Sequence, residues 1–304
     1  MTVPTVDIEE LDALEQERAF VDLSAWRKVV VSGGDAVRWL NDLLTADVAR
    51  LALGEAHRSL LLTPTGRIRA DVHVARREND VLLLQSPDQP HHVGLTLHPY
   101  ALSSDVELHD ATRELSLIAV PGHASALVGH PGHTPSALGS GVGIVPGSGK
   151  PSWRVGEALV NAGLVEAGAA AADAWRIRRG IARIGTDFEA DALPAEAGLE
   201  DAIAFDKGCF LGQESVAKVR NLGHPPRVLR HVSVEGGLNA GAPVRSGSAR
   251  VGHVTSAAPL ATSIRGSARS GARSVGIVRV TWQAIEGPLS LEDGRTLEPV
   301  PRMS

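Results

Sequence analysis

From Val228 onward, short apolar runs alternate with glycine-bearing turns, and that spacing leaves few architectures open. Val232-Ser233-Val234, Pro243-Val244, Val251-Gly252-His253-Val254 and Val275 to Val280 are each too short for a helix. Runs of this length between turn residues fit strands that close on one another, so the region reads as an all-β sandwich or barrel. Asn221 to Pro226 breaks the preceding pattern, which puts a domain boundary near residues 224–228.

Upstream the grammar is mixed. Ile8, Leu11, Leu14 and Ala19 recur at roughly helical spacing and predict a helix over Val6–Phe20. A strand at Arg27–Val31 follows, then a Ser32-Gly33-Gly34 turn. Asp35 is placed to cap a helix carrying Val37, Leu40, Leu43 and Leu44. Arg58–Thr63 reads as a strand, Pro64-Thr65-Gly66 as a turn, and Ile68, Ala70, Val72 and Val74 alternate with Arg67, Arg69, Asp71 and His73. That alternation predicts a half-buried strand with one polar face. Val81–Leu84 completes an antiparallel meander. Pro90–Leu102 and Ala169–Gly180 read as helical, and Leu115–Val120 as a strand. Pro121–Trp153 is rich in Gly, Pro and Ser and reads either as a helix between loops or as a long variable connection.

The chain has 304 residues, enough for two or three packed domains. With 30 basic and 35 acidic residues it lacks the basic excess that binds a phosphate backbone, so nucleic acid is not an expected partner. No run reaches the ~20 apolar residues of a membrane span. The acidic, amphipathic start lacks the marks of a secretory signal, so membrane association is not expected and the cytoplasm is the expected location.

Cys209 is the only cysteine, which excludes an intramolecular disulfide and a four-cysteine metal or cluster site in one chain. It sits in Lys207-Gly208-Cys209-Phe210-Leu211-Gly212-Gln213-Glu214. An ammonium two residues away favours a thiolate. Gly208 and Gly212 clear space on either side for a flat ligand or another backbone. Gln213 and Glu214 offer groups that could read an aminopyrimidine edge. The competing reading makes the cysteine a small buried hydrophobe and the glycines packing contacts. No metal is expected: His91, His92, His98, His123, His130 and His133 have no carboxylate at motif spacing. Gly139–Gly149 lacks the context of a phosphate loop.

The block from Lys207 to Glu214 resembles the K-G-C-[FY]-x-G-Q-E signature of YgfZ-type folate-binding proteins, relatives of the glycine-cleavage T-protein. Asn41–Val48, Leu62–Ile68, Gly180–Asp187 and Leu193–Leu199 are similar to further segments of that family. The resemblance implies an α+β, three-domain cloverleaf with antiparallel sheets, helices and a C-terminal β-barrel. The expected domains are a discontinuous central folate-binding α+β unit (1–55 with 170–227), a ferredoxin-like α+β unit (56–169) and the barrel (228–304). It implies tetrahydrofolate, or a one-carbon derivative, in a central channel, and iron–sulfur enzymes as clients. Cys209 would then be a thiol facing that channel, able to carry an adduct or redox state, with Lys207 beside it. Asp71, Arg178, Gly208, Gly212, Gln213 and Glu214 would meet the folate.

Two positions depart from the transferase pattern. T-proteins carry Asp-Asp where this chain has Ala70-Asp71, and a glutamate where it has Arg178. Arg178 cannot accept from a pterin N–H and would pair with the folate tail, Glu196 or Glu200. Three readings follow: a folate-binding accessory protein for iron–sulfur enzymes, favoured because the thiol motif is complete; a tetrahydrofolate-dependent aminomethyltransferase; and an interaction scaffold without ligand.

Overall fold

A computed structural model describes residues 6–121, 134–136, 142–148, 152–260 and 273–301. Most of the glycine- and proline-rich connection, including His123, His130 and His133, lies outside the described residues.

The chain opens with α1 (Ile8–Glu15), capped by the Asp7 carboxylate, which accepts from the Glu9 and Glu10 amides. The helix is shorter than the expected Val6–Phe20. Glu17 takes a left-handed φ of 57° and turns the chain, so Ala19 and Phe20 enter β1 (Ala19–Asp22). Then come β2 (Arg27–Ser32), α2 (Ala36–Leu43), β3 (Ala56–Leu62), β4 (Ile68–Arg76), β5 (Val81–Gln85), α3 (Val93–Leu97) and β6 (Glu107–Asp110). Asp35 stands before α2 but does not cap it; its carboxylate accepts from the Asp105 amide instead. The expected Pro90–Leu102 helix is α3 followed by a single 3₁₀ turn at His98–Tyr100.

These strands form an antiparallel sheet in the order β3-β4-β5-β2-β6. One face buries Val29, Val31, Ala70, Val72, Val74 and Leu83 against Trp39 and Leu40 of α2 and Val93 and Leu97 of α3. The meander is therefore present, but β2 inserts between β5 and β6. This corrects the expected division at 55/56: residues 27–32 share a sheet with residues 56–85, and a boundary there would cut continuous hydrogen bonding.

A second sheet has the order β10-β1-β7-β9-β8, built from β7 (Leu115–Pro121), β8 (Thr134–Ser136), β9 (Val142–Ser148) and β10 (Val165–Glu166) around β1. Helix α4 (Ser152–Asn161) brings Leu159 onto Phe20, Ile118 and Val120. Helix α5 (Ala169–Arg178) packs Ala171, Ala174 and Ile177 on Leu11 and Leu14 of α1, and reaches Ala258 and Val275 of the C-terminal unit.

Past α6 (Pro194–Ala197) and α7 (Gln213–Leu222), six strands close into a barrel in the order β11-β14-β13-β12-β15-β16. They are β11 (Arg227–Glu235), β12 (Pro243–Ser246), β13 (Ala249–Pro259), β14 (Arg273–Thr281), β15 (Leu289–Leu291) and β16 (Thr296–Pro299). Closure removes exposed edges, and the lumen fills with Val232, Val234, Val244, Val254, Val278 and Leu291. The architecture is thus mixed α and β with a C-terminal barrel, as the sequence leads one to expect. Leu229 and Ile277 of the barrel share a core with Leu60, Leu62 and Ile68 of the first sheet through Ala182, Ile184 and Phe188.

Candidate functional site

At the junction of the first sheet with β1, β10 and α5 lies a cavity of about 550 Å³. The size suits a drug-sized heterocycle. Its floor is the face of the first sheet opposite α2: Arg58 of β3 with Asp71 and His73 of β4. The β1 end through Trp26 forms one wall and Ser86–Gln89 another. Helix α5, with Asp173, Trp175 and Arg176, forms a third, and Ile181–Ile184 closes it. The polar face expected for β4 exists; Arg67 and Arg69 at its start are exposed, but Asp71 and His73 are not. Asp71 is 7% and His73 6% exposed, because the other units cover that face.

Asp71 is held on every side. Arg58 Nε and Nη2 donate to Asp71 Oδ1 and Oδ2 at 2.9 and 2.5 Å, a bidentate pair, and Arg58 Nη2 also donates to the Ala182 carbonyl. Burial alone would lower the Arg58 pKa, but the Asp71 charge and hydrogen bond leave it raised. The backbone of Asp71 has lost its strand neighbour beyond the end of β5, and the Gln89 carboxamide replaces it. Gln89 Oε1 accepts from the Asp71 amide and Gln89 Nε2 donates to its carbonyl. Gln85 Nε2 in turn donates to Gln89 Oε1.

His73 lies tilted against Trp26, with ring centres 5.8 Å apart. Burial drives its pKa down to about 4, so the ring is neutral at pH 7. His73 Nδ1 and Trp175 Nε1 are buried without a hydrogen-bond partner. Unsatisfied polar groups at such depth are costly, and two of them beside a cavity fit a ligand that brings polar partners of its own.

A second polar cluster ties α5 to the barrel. Arg176 donates to Asp173 Oδ1, to the Ile181 carbonyl, to Asp187 Oδ2 and to Ser256 Oγ. Asp187, 1% exposed, also accepts from the Arg183 amide, Thr255 Oγ1 and Ser256 Oγ.

The Lys207–Glu214 block stands elsewhere. None of its residues, nor Arg178, borders the cavity; of the expected site residues only Asp71 does. Lys207 Nζ turns onto the chain that ends α2 and donates to the carbonyls of Asn41, Leu44 and Ala46 at 2.6, 2.5 and 2.8 Å. Burial lowers its pKa to about 8 against the opposing pull of Asp47 and Asp42. Phe210 is buried, and the Leu211 amide donates to the Asp42 carbonyl. Gly212 takes φ 82°; a Cβ there would come within 2.5 Å of the Thr63 carbonyl oxygen. Across the same contact Gly66 takes φ 74° against Ser215 and Val216. Gln213 opens α7, and exposed Glu214 pairs with Lys218 at 2.7 Å, which lowers its pKa. Cys209 and Gly208 are exposed, and no neighbour crowds Gly208. The block therefore braces α7 and the 63–67 turn against the end of α2 and leaves the thiol facing outward.

Arg178 Nε donates to the Pro259 carbonyl, and its Nη1 lies 3.6 Å from Glu15. Glu196 pairs with Arg279 instead. The sequence reading missed Arg58, His73, Gln89 and Trp175. Only Trp175 and His73 carried a signal, through their places in periodic segments.

Among the described residues no group of three His, Cys, Asp or Glu side chains is arranged to hold a metal ion. No described helix is long and apolar enough to cross a membrane.

Comparison with known proteins bears on the same architecture. Residues 3–129 match the GCVT N-terminal domain family. Over 286 residues the chain is 28% identical to a protein of Arabidopsis thaliana named as a chloroplastic transferase, At1g60990, covering 82% of this chain and 64% of that protein, just under two thirds of its length. It is also 28% identical to the aminomethyltransferase of Streptomyces avermitilis over 82% of this chain and 77% of that one. The crystal structure of the glycine cleavage system aminomethyltransferase T from Bartonella henselae superposes with a TM-score of 0.79 at 22% identity, covering 96% of this chain and 87% of that one. The chain has the fold of that aminomethyltransferase, and residues 3–129 match the GCVT N-terminal domain family.

Proposed function

We propose that the junction cavity binds tetrahydrofolate or a one-carbon derivative, and that the protein acts as a folate-dependent accessory to iron–sulfur enzymes rather than as an aminomethyl carrier. The observation that carries the second half is the Arg58–Asp71 pair: both carboxylate oxygens are held by one guanidinium, so Asp71 is committed to a partner within the protein. The cavity's size, its aromatic wall and its two unpartnered N–H or ring nitrogen atoms support a heteroaromatic ligand. The iron–sulfur role and a cytoplasmic setting rest on the resemblance of the Lys207–Glu214 block. In this reading the outward thiol of Cys209 serves a partner protein rather than the folate.

The alternative, aminomethyl transfer to tetrahydrofolate, is favoured by one observation: Asp71 lies on the cavity floor and relatives of similar sequence are named aminomethyltransferases. A melting titration separates the readings. Tetrahydrofolate at about a hundred times its dissociation constant stabilises by ~2.7 kcal/mol. The wild type and Cys209→Ala are expected to shift alike, with no ammonia released from an aminomethylated lipoyl carrier. Ammonia release would establish the transferase reading. No shift in either variant would leave a scaffold without ligand.

A further inference from the structure

The cavity wall sorts its charges in one direction. Each guanidinium on it is already paired: Arg58 with Asp71, Arg176 with Asp173 and Asp187, and Arg183 with Asp173. Three exposed carboxylates on the same wall, Asp22, Asp88 and Glu166, are in no contact ion pair among the described residues. Asp22 accepts from the Ser24 amide and acts on the buried Lys28, whose ammonium donates to the Ser24 and Trp26 carbonyls. Also on the lining are His73 and Trp175, whose Nδ1 and Nε1 are buried without a hydrogen-bond partner, and Trp26, which lies against His73. A ligand seated by its heterocycle against these rings shares the cavity with the three carboxylates and meets no unpaired cation among the described residues of the lining.

We propose, resting on the folate reading, that the cavity selects tetrahydropterins carrying at most one glutamate and discriminates against polyglutamylated folates. Each added γ-linked glutamate brings a carboxylate toward Asp22, Asp88 and Glu166. Like charges at exposed positions repel weakly, and the repulsion fades as salt screens it.

The test is calorimetric titration of the full chain with 6-methyltetrahydropterin, tetrahydrofolate and tetrahydrofolate triglutamate, at about 20 mM and about 300 mM salt. The triglutamate is expected to bind more weakly than the monoglutamate by on the order of tenfold at low salt, with the gap narrowing at high salt. The triple variant Asp22→Lys, Asp88→Lys, Glu166→Lys is expected to reverse the order. If it does not melt as a folded protein, Asp88→Lys alone is expected to narrow the gap. A wild-type affinity that holds or rises with glutamate number overturns the proposal and leaves folate binding standing, as does an unchanged ratio in the folded variants. Failure of all three ligands to bind removes the folate reading, and this proposal with it.

Discussion

Replacing Asp187 by alanine removes the acceptor at which three parts of the fold converge. Its side chain is fully buried and receives four hydrogen bonds: Arg176 Nη1 at 2.7 Å, the Arg183 amide at 2.9 Å, and Thr255 Oγ1 and Ser256 Oγ at 2.6 Å each. Removing one member of a buried ion pair costs ~3–5 kcal/mol, because the other charge stays behind without its partner. Arg176 keeps Asp173, which is about a third exposed, and Thr255 keeps the Ile277 carbonyl. The loss should therefore fall at the low end, about 3 kcal/mol. With a denaturant slope of ~3 kcal/mol per molar for a chain of this size, the urea midpoint should fall by about 1 M. Tryptophan fluorescence during a urea titration reads it. Asp187→Asn keeps the shape and half the acceptors and should fall between the two. A midpoint drop under about 0.3 M in Asp187→Ala would mean that the node does not hold α5 to the barrel, and the account of the junction would fail.

The buried neutral His73 sets a pH dependence. Its folded pKa, about 4, lies below the unfolded value of 6.5, so the unfolded chain binds the proton first as pH falls, and stability is lost between 6.5 and about 4. From pH 7 to pH 5 this one group should cost about 2 kcal/mol. His73→Phe should remove that much of the slope in paired urea titrations, and an unchanged slope would contradict the assignment. Gly212→Ala should destabilise by about 1–3 kcal/mol, since a side chain at φ 82° is strained and its Cβ meets the Thr63 carbonyl. A thermal melt within a degree of wild type would show that the α7 contact with the 63–67 turn is slack.

Much of this was legible along the chain. Turn spacing after Val228 announced the barrel, and the period-two pattern from Ile68 to Val74 placed Asp71 and His73 on one face of β4. What that face looks onto was not legible, because Trp26, Ser86–Gln89 and the residues of α5 reach it from separate stretches of the chain. Ala182 and Asp173 belong to the cavity through tertiary packing, which local pattern does not encode. Arg58 read as one polar residue in a strand, and only the pairing of β3 with β4 sets it opposite His73 and diagonal to Asp71. The Lys207–Glu214 block misled in an instructive way. Its charge and glycines fit chemistry at a ligand as well as they fit bracing, and only the carbonyls of Asn41, Leu44 and Ala46 around the ammonium decide for bracing.

The Gly66–Gly212 contact and the Lys207 anchor put Cys209 on a rigid pedestal outside the chamber that would take a small molecule. On the proposed reading, a heterocycle inside and a macromolecule at the sulfur would occupy separate places on the protein.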